Sequence, residues 1–226
     1  MKMRNLIIIP VMFFALVAIF SSCEKDKDKT YANLMVVHAS PDAPGVDLLI
    51  DDVKKNSAAL TYPNNTGYLS VESGTRNIKV NVSGTTTNVI NGDLTVEQDK
   101  NYSLFAIDVV AKLSVVVLGD DLTPPAAGKA HVRFVHLSPD APAVDIAIAG
   151  NGTVVFGNTG FKGFTGFTPL NVGTYSLDVR LAGTSTVVLV LPAITLQAGK
   201  IYTVFAKGLV QGTGAQALGA EIILNN

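Results

Sequence analysis

The sequence predicts an all-β protein with two tandem antiparallel β-sandwich domains, immunoglobulin-like or transthyretin-like, placed after an N-terminal lipoprotein signal. Val, Ile and Thr are frequent, and 20 Gly and 10 Pro supply turns, as is typical of β proteins. No long stretch after the N-terminal segment has a persuasive helical period. The chain also repeats itself at an interval near 100 residues, which suits one sandwich per repeat.

The composition excludes several classes of protein. The 226 residues are 48% hydrophobic and 15% charged, with 17 basic against 18 acidic side chains, so no basic stripe is available for nucleic acid. One Cys and three His exclude an internal disulfide and a multi-Cys zinc site. We therefore expect no nucleic-acid partner and no cofactor.

The first element is an export signal over residues 1–22. Lys2 and Arg4 precede an apolar run of 15 residues, Leu6–Phe20, that contains Pro10. This run is shorter than the roughly 20 residues that span a bilayer. A charged start, a short apolar run and small residues before a break favour a secretory signal over a membrane-spanning helix.

The single Cys follows this signal directly. Phe20-Ser21-Ser22-Cys23 resembles the lipobox of bacterial lipoproteins, with Phe20 where that box usually has Leu. The six alternating charges that come next cannot form a core, so residues 23–31 are interpreted as a lipidated Cys and a solvated tether. We expect Cys23 to be the lipid attachment site, with the protein anchored in a bacterial cell envelope, in the outer membrane, on either its periplasmic or its surface face.

The remaining chain is a tandem repeat. Residues 36–48 and 134–146 match at 9 of 13 positions, 98 residues apart. Further matches follow at Gly74-Thr75 with Gly173-Thr174, and at 100–106 with 200–206. The Pro- and Gly-containing segment 122–129 is predicted to be an extended linker between β-sandwich repeat 1 (32–121) and repeat 2 (130–226).

Short β-rich runs separated by turn signals are predicted to form the strands. Ile78–Val82 alternates between apolar and polar residues, as expected for a strand with one buried face. Val115–Leu118 and Val187–Leu191 are continuous apolar runs and are predicted to be buried on both faces. The other strands predicted in repeat 1 are 34–38, 46–50, 102–107 and 113–118, with turns at 64–67, 83–84 and 91–93.

The most specific motif is His-x-Ser-Pro-Asp-Ala-Pro-x-Val-Asp, at His38–Asp47 and His136–Asp145. Together with the downstream Gly-Thr and Tyr-x-x-Phe-Ala blocks, it resembles the bacterial domain-of-unknown-function family 4397. The resemblance covers nearly all of the chain after the signal. It implies tandem β-sandwich domains in a secreted or surface lipoprotein, and it assigns no activity and no catalytic residues.

The chemistry of the motif favours a structural role. The two prolines make the loop rigid, and Asp42 is suited to accept backbone N–H groups in an Asx-type turn. His38 and Ser40 are expected to bond to the loop backbone, and Asp47 to fasten the next strand. The counterparts in the second repeat are His136, Ser138, Asp140 and Asp145. The alternative is that these eight residues form weak binding sites.

Two sharper interpretations of the motif are less well supported. Ser40 precedes a proline and does not lie on a Gly-x-Ser-x-Gly elbow, so a nucleophilic Ser/His/Asp set is not predicted. Asp42 and Asp47 offer oxygen ligands for Ca²⁺, but no Asp-x-Asp-x-Asp-Gly loop is present. We therefore predict no catalytic residue and no metal site.

The second repeat has an aromatic and glycine-rich segment of its own. Phe161, Phe164 and Phe167 are three residues apart, a spacing that fits neither a strand nor a continuous helix. We expect these rings to plug the open end of the sandwich or the groove between the domains. The alternative is an exposed aromatic surface that contacts a glycan or a protein.

Together these features predict a non-enzymatic, lipid-anchored cell-envelope protein with tandem β-sandwich domains for binding, adhesion or scaffolding. The alternative is an accessory module that captures a glycan or an envelope protein for a separate enzyme or transporter. A third and weaker hypothesis is a hydrolase that uses the His-x-Ser-Pro-Asp motif. The predicted partners are the membrane, through the N-terminal lipid, and a glycan or an envelope protein.

Overall fold

The computed structural model describes residues 29–226. The predicted signal and Cys23 lie outside the described residues. The first half of the described chain has eight strands and a short 3₁₀ helix (Val110–Lys112). Its strands are β1 (Tyr31–His38), β2 (Val46–Ile50), β3 (Val53–Lys54), β4 (Asn65–Glu72), β5 (Gly74–Val82), β6 (Asn88–Val96), β7 (Asn101–Ile107) and β8 (Ser114–Gly119).

The second half repeats this arrangement, with a 3₁₀ helix at Gly214–Gln216. In the part of the chain that the structure describes, no helix has the length and apolar character needed to cross a membrane. The strands of this half are β9 (Lys129–His136), β10 (Val144–Ile148), β11 (Val154–Thr159), β12 (Thr168–Asn171), β13 (Gly173–Leu181), β14 (Val187–Leu196), β15 (Ile201–Lys207) and β16 (Gly219–Leu224).

Each half forms a sandwich of two four-stranded sheets. The first half has an outer sheet of order β3-β2-β5-β6 and an inner sheet of order β4-β1-β7-β8. The second half has an outer sheet β11-β10-β13-β14 and an inner sheet β12-β9-β15-β16. The prediction of an all-β protein with tandem β-sandwich domains is confirmed.

The sequence analysis predicted antiparallel sheets, but each inner sheet is mixed. β1 pairs with β7 in parallel, and β9 pairs with β15 in the same way. These strands are buried on both faces, since each inner sheet packs against its own outer sheet on one side and against the other inner sheet on the other. Burial on both faces is the usual setting of parallel strands.

The molecule is therefore a stack of four sheets with three hydrophobic cores between them. Leu34, Leu48 and Leu104 belong to the core of the first sandwich. Phe134 and Ile146 belong to the core of the second. The third core lies between the inner sheets and contains Met35, Val37, Phe105, Ile107, Leu118, Val135, Leu137, Phe205 and Ile223. Phe105 and Phe205, which occupy equivalent positions in the two repeats, meet edge to face with centroids 6.1 Å apart.

A buried polar cluster joins the inner sheets beside this core. Arg133 Nη1 lies 2.7 Å from Asp120 Oδ1, and the two side chains are only 3% and 0% exposed. Ser103 donates to Asp120 (2.6 Å), and Arg133 Nε donates to Thr203 (2.8 Å). Thr203 donates to Asn225, whose amide donates to the Tyr68 hydroxyl, which in turn donates to Asp120. We call these residues the interface cluster: Tyr68, Ser103, Asp120, Arg133, Thr203 and Asn225.

Equivalent strands of the two halves end at the same end of the molecule. The ring of Tyr62 lies beside His38, where β1 ends, and Lys207 Nζ of the second half is 5.5 Å from its centroid. Lys207 follows Ala206, the partner of His136 at the end of β9. The two motif loops therefore lie at one end of the molecule, the motif end. Tyr31, where β1 begins, lies at the opposite end, the tether end.

The predicted strands 34–38, 46–50, 78–82 and 102–107 lie within observed strands, and 113–118 overlaps β8 except at its first residue. The turn at 83–84 is also observed. Two predicted turns are wrong, because Asn65–Gly67 begins β4 and 91–93 lies inside β6.

The prediction that β8 and β14 are buried on both faces is also wrong. Val115, Val117, Val187, Val188 and Val190 are exposed. Both strands lie at the edge of their sheets, where the neighbouring layer covers them only in part.

Candidate functional site

The two motif loops connect an inner sheet to an outer sheet in each half. His38 ends β1 and Asp47 lies in β2, while His136 ends β9 and Asp145 lies in β10. Each loop makes a turn at Pro41-Asp42 or Pro139-Asp140, where the proline fixes φ, and otherwise crosses the end of its sandwich without regular structure. The eight motif residues of the two repeats are thus split between two equivalent loops at the motif end.

The motif histidines are buried and neutral, and only one of the two nitrogens of each ring has a hydrogen-bond partner. His38 is 2% exposed and His136 is fully buried. Their Nε2 atoms lie 3.0 and 3.1 Å from the carbonyl oxygens of Pro44 and Pro142. A carbonyl only accepts, so Nε2 carries the proton and Nδ1 is left as an acceptor without a partner among the described residues. Burial lowers the pKa of both rings, and the bonds to the backbone carbonyls oppose this only in part.

The motif aspartates tie the loops to distant parts of each half. Asp42 accepts the backbone N–H of Val110 at 2.9 Å. Asp140 accepts that of Val210 at 3.0 and 3.1 Å. These partners lie after β7 and β15, so the bonds are long-range, whereas the sequence interpretation placed the Asp42 bonds within its own turn.

The motif serines differ between the repeats. Ser138 donates to the carbonyl of Gly208 at 2.7 Å, and its Oγ also lies 3.5 Å from Asp140. Ser40 is fully buried and its hydroxyl has no partner among the described residues. The same motif position thus has two different surroundings.

The second aspartate of each motif fastens the outer sheet. Asp47 accepts the Ser83 hydroxyl (2.9 Å) and the Gly84 N–H (3.1 Å), and it pairs with Lys54 (2.9 Å). The hydrogen bond from Gly84, followed by the bond from Lys54, lowers the pKa of Asp47. The equivalent carboxylate accepts two backbone N–H groups, from Asn158 at 2.6 Å and Gly183 at 2.8 Å.

This geometry does not assemble a nucleophile relay at either motif. The Nε2 of His38 is engaged by the Pro44 carbonyl, and Asp42 is engaged by Val110, so the carboxylate does not orient the ring. Ser138 donates to a backbone carbonyl and not to His136. Within residues 29–226, no group of three or more His, Cys, Asp or Glu side chains is placed to hold a metal ion.

The three phenylalanines of the second repeat have different surroundings. Phe161 packs against the core between the inner sheets, and Lys162 Nζ lies 5.3 Å from its centroid. Phe167 lies under the guanidinium of Arg133, 4.6 Å from the ring centroid. Phe164 is 57% exposed. The segment therefore contributes one strongly exposed ring and not a surface of three.

An apolar cavity lies beside each motif loop, between the inner and outer sheets. The first cavity has a volume of about 300 Å³ and is lined by His38, Pro44 and Ala106 among others. The second has a volume of about 330 Å³ and is lined by the equivalent residues His136, Pro142 and Ala206. Both volumes fall in the lower range of small-molecule sites.

Comparison with known families decides where this chain belongs. The profile of a family described as "Domain of unknown function (DUF4397)" matches residues 32–147 and 148–221. The chain belongs to this family. The first matched segment continues through residues 122–129 into β10. No curated protein matches the chain significantly.

Two solved structures show distant likeness. One is the Bacillus anthracis TIE protein, with a TM-score of 0.27 and 13% identity over 79% of this chain. The match spans about a third (34%) of that protein's chain. The other is a family CBM26 module from Eubacterium rectale Amy13K in complex with maltoheptaose, with a TM-score of 0.24 and 13% identity, covering 85% of this chain and 95% of that one.

Two features of the structure were missed by sequence reasoning. The interface cluster contains Arg133 and Asp120, which occupy positions where the other repeat has Met35 and Asn225. The sequence did contain one signal for this cluster: Arg133 is charged, whereas Met35 at the equivalent position of the first repeat is apolar. The two cavities lie beside the motif that the sequence analysis singled out, but the apolar residues that complete their walls come from distant strands and show no pattern in the sequence.

Proposed function

We propose that this family member is a non-enzymatic, lipid-anchored protein of the bacterial cell envelope, attached to the outer membrane through Cys23, whose two sandwiches act as one rigid binding or scaffolding unit. Acyl chains on Cys23 would supply the membrane affinity, and the described domains need not touch the bilayer.

The proposal rests on one observation, that the tether and the motif loops lie at opposite ends of the fold. The segment that follows Cys23 enters the fold at Tyr31, at the tether end. Both motif loops and both cavities lie at the opposite end, one length of β1 away, which is roughly 25 Å for an eight-residue strand. A lipid at Cys23 would therefore hold the motif end away from the membrane.

Rigidity supports a binding or scaffolding role. Tandem domains joined only by a linker move independently unless their interface is large and apolar. Here the inner sheets share a hydrophobic core and a charged pair that is almost fully buried. The two motif loops are consequently held at a constant separation, as a bivalent binding surface requires.

The absence of a catalytic role is supported by the geometry of the motif. His38 and His136 are buried and donate to backbone carbonyls, so their protonated nitrogens are not available to a substrate. We expect no turnover on ester, peptide or glycoside panels, and no difference between the wild type and a His38→Ala/His136→Ala variant. Turnover that this variant loses while it remains folded would contradict the proposal.

The anchor is tested by intact-mass measurement of the protein extracted from membranes. We expect a diacylglyceryl or triacyl adduct on a chain that begins at Cys23, and release of a Cys23→Ser variant into the soluble fraction. Ser22→Ala, which keeps a small residue next to the cysteine, is the matched control and should remain in the membrane. An unmodified chain, or one that begins elsewhere, would refute the anchor.

A further inference from the structure

The two inner sheets meet around an approximate twofold axis. Phe105 of β7 and Phe205 of β15 occupy equivalent positions, and their rings contact each other. Residues that contact their own equivalents lie near a twofold axis, where both sides of an interface use the same surface. We call the side of each inner sheet that contacts the other repeat its inner face. This symmetry alone would let two first repeats, or two second repeats, pair through their inner faces.

The charges of the interface cluster break this symmetry. Arg133 lies in the second repeat where the first has Met35, and Asp120 lies in the first repeat where the second has Asn225. The ion pair therefore takes its cation from one repeat and its anion from the other. The symmetry-related positions, Met35 and Asn225, carry no charge.

Burial makes the sign of these charges decisive. The side chains of Arg133 and Asp120 are only 3% and 0% exposed. Two first repeats would bury two carboxylates opposite Met35 with no cation, and two second repeats would bury two guanidiniums opposite Asn225 with no anion. A buried charge without its partner is far more costly than a paired one. Both like pairings are therefore disfavoured relative to the unlike pairing.

The neighbours of each charge come from its own repeat. Asp120 accepts the hydroxyl of Tyr68 in the first repeat. Arg133 donates to Thr203 and lies over the ring of Phe167, both in the second repeat. The carboxylate is thus surrounded by a donor, and the guanidinium by an acceptor and an aromatic face. These two surroundings are not interchangeable.

We propose that the interface cluster makes each inner face specific for the inner face of the unlike repeat, in its own chain or in a second copy of the chain. Specificity of this kind comes from the cost of the wrong pairing as much as from the contacts of the right one. Two chains can then associate through these faces only by exchanging unlike repeats. The inference goes beyond the proposed function and does not depend on a lipid at Cys23.

The test uses the full chain with a protease site inserted after Thr123, in the exposed linker. The folded chain is cleaved, unfolded in urea and refolded by dilution. Native mass spectrometry then separates the three possible pairs of repeats by their masses. Faces without preference would give like and unlike pairs in equal amounts. We expect unlike pairs to outnumber like pairs about a hundredfold or more.

Single substitutions should each favour a different like pair. Arg133→Met leaves no charge in a pair of second repeats, so such pairs should appear and exceed pairs of first repeats. Asp120→Asn should do the reverse. The double variant has no charge in the cluster, and its like pairs should approach the amount expected of faces without preference. Arg133→Lys keeps the charge and is the control, in which unlike pairs should remain dominant.

Like and unlike pairs in equal amounts in the wild type would overturn the proposal. So would a double variant that still forms only unlike pairs, because the specificity would then lie elsewhere on the faces. If the separated repeats do not refold, cleaved chains with and without an isotope label are mixed in urea below the unfolding transition. Exchange into unlike pairs alone then supports the proposal, and like pairs among the exchanged products refute it.

Discussion

At the residue scale, the two motif histidines have the same hydrogen bond and the same burial in both halves. Each donates through Nε2 to a proline carbonyl six residues later in the motif loop. The motif aspartates likewise accept equivalent backbone N–H groups, from Val110 and Val210. A repeated hydrogen-bond pattern at equivalent positions indicates that the motif closes the end of each sandwich. Measurements of stability therefore test this structural role.

The first prediction concerns Asp42. Its replacement by Ala removes the acceptor of the Val110 N–H, and we expect a loss of about 1 kcal/mol in the free energy of unfolding. For a chain of this size that lowers Tm by about 2 to 4 °C, with or without Ca²⁺. Glu97→Ala, at an exposed acidic residue of the same half, is the control. An unchanged Tm, or a loss seen only with Ca²⁺, would refute the structural role.

The second prediction is a pH dependence that arises from the two buried histidines. Their pKa is lowered in the folded state, so the unfolded chain takes up protons first as the pH falls below about 6.5. Stability is therefore complete above that pH and is lost between pH 6.5 and the lower folded pKa, by up to about 1.4 kcal/mol per pH unit for each histidine.

Urea denaturation between pH 7 and pH 5 measures this slope. His38→Gln and His136→Gln should each remove about half of their joint contribution, and the double variant should remove all of it. The carboxylate of Asp47 does not interfere, because its lowered pKa gives a contribution that is lost only below about pH 4. Equal slopes in the wild type and the double variant would contradict the prediction.

At the element scale, strands β8 and β14 show how position in a sheet decides burial. Val187–Leu191 is a continuous apolar run, yet Val190 is 63% exposed and its neighbour Leu191 only 4%. β14 is an edge strand of the second outer sheet, so its outward side chains have no covering layer. β15, at the centre of the inner sheet, is buried almost throughout although it contains Tyr202, Thr203 and Lys207.

The third prediction uses this alternation. Val190→Lys should change the free energy of unfolding by less than about 0.5 kcal/mol and should reduce aggregation, because a charge on an exposed edge opposes pairing with another chain. Leu191→Lys, one residue further on, should cost more than about 3 kcal/mol, because it buries an unpaired charge. Chemical denaturation and light scattering measure both effects. Similar losses in the two variants would show that the strand does not alternate.

At the scale of the whole molecule, the interface cluster joins the two sandwiches through hydrogen bonds and a buried ion pair. Arg133 contacts Asp120 and Ser103 of the first half and Thr203 of its own. Burial, and after it the charge of Asp120, raises the pKa of Tyr68 and keeps its hydroxyl a donor. With a hydrophobic core shared between the inner sheets, we expect the two halves to unfold in one transition.

The fourth prediction tests this coupling with the residues that the other repeat carries. Arg133→Met copies Met35 and leaves Asp120 buried without its partner, at a cost of about 3 to 5 kcal/mol. Asp120→Asn, which copies Asn225, should restore most of that loss in the double variant, since no uncompensated charge remains. A double-mutant cycle measured by urea denaturation gives the coupling energy. A cycle with no coupling, or separate transitions in the wild type, would contradict a cooperative interface.

The sequence by itself determined the features that depend on near neighbours and on the repeat. Alternation in Ile78–Val82 predicted a strand, in which Ile78 and Val80 are buried although Asn81 is buried as well, and the match of 36–48 with 134–146 predicted two equivalent sandwiches. The likeness of the motif also predicted the family. Only the tertiary structure decided the parallel pairing of β1 with β7, the four-layer stack, the cavities and the interface cluster. The physical reason is the distance along the chain over which each feature is decided. The face on which a side chain lies follows from the pleat of its own strand, which is local. Arg133 instead contacts Thr203 across 70 residues of chain, and no local pattern records which layers will cover one another.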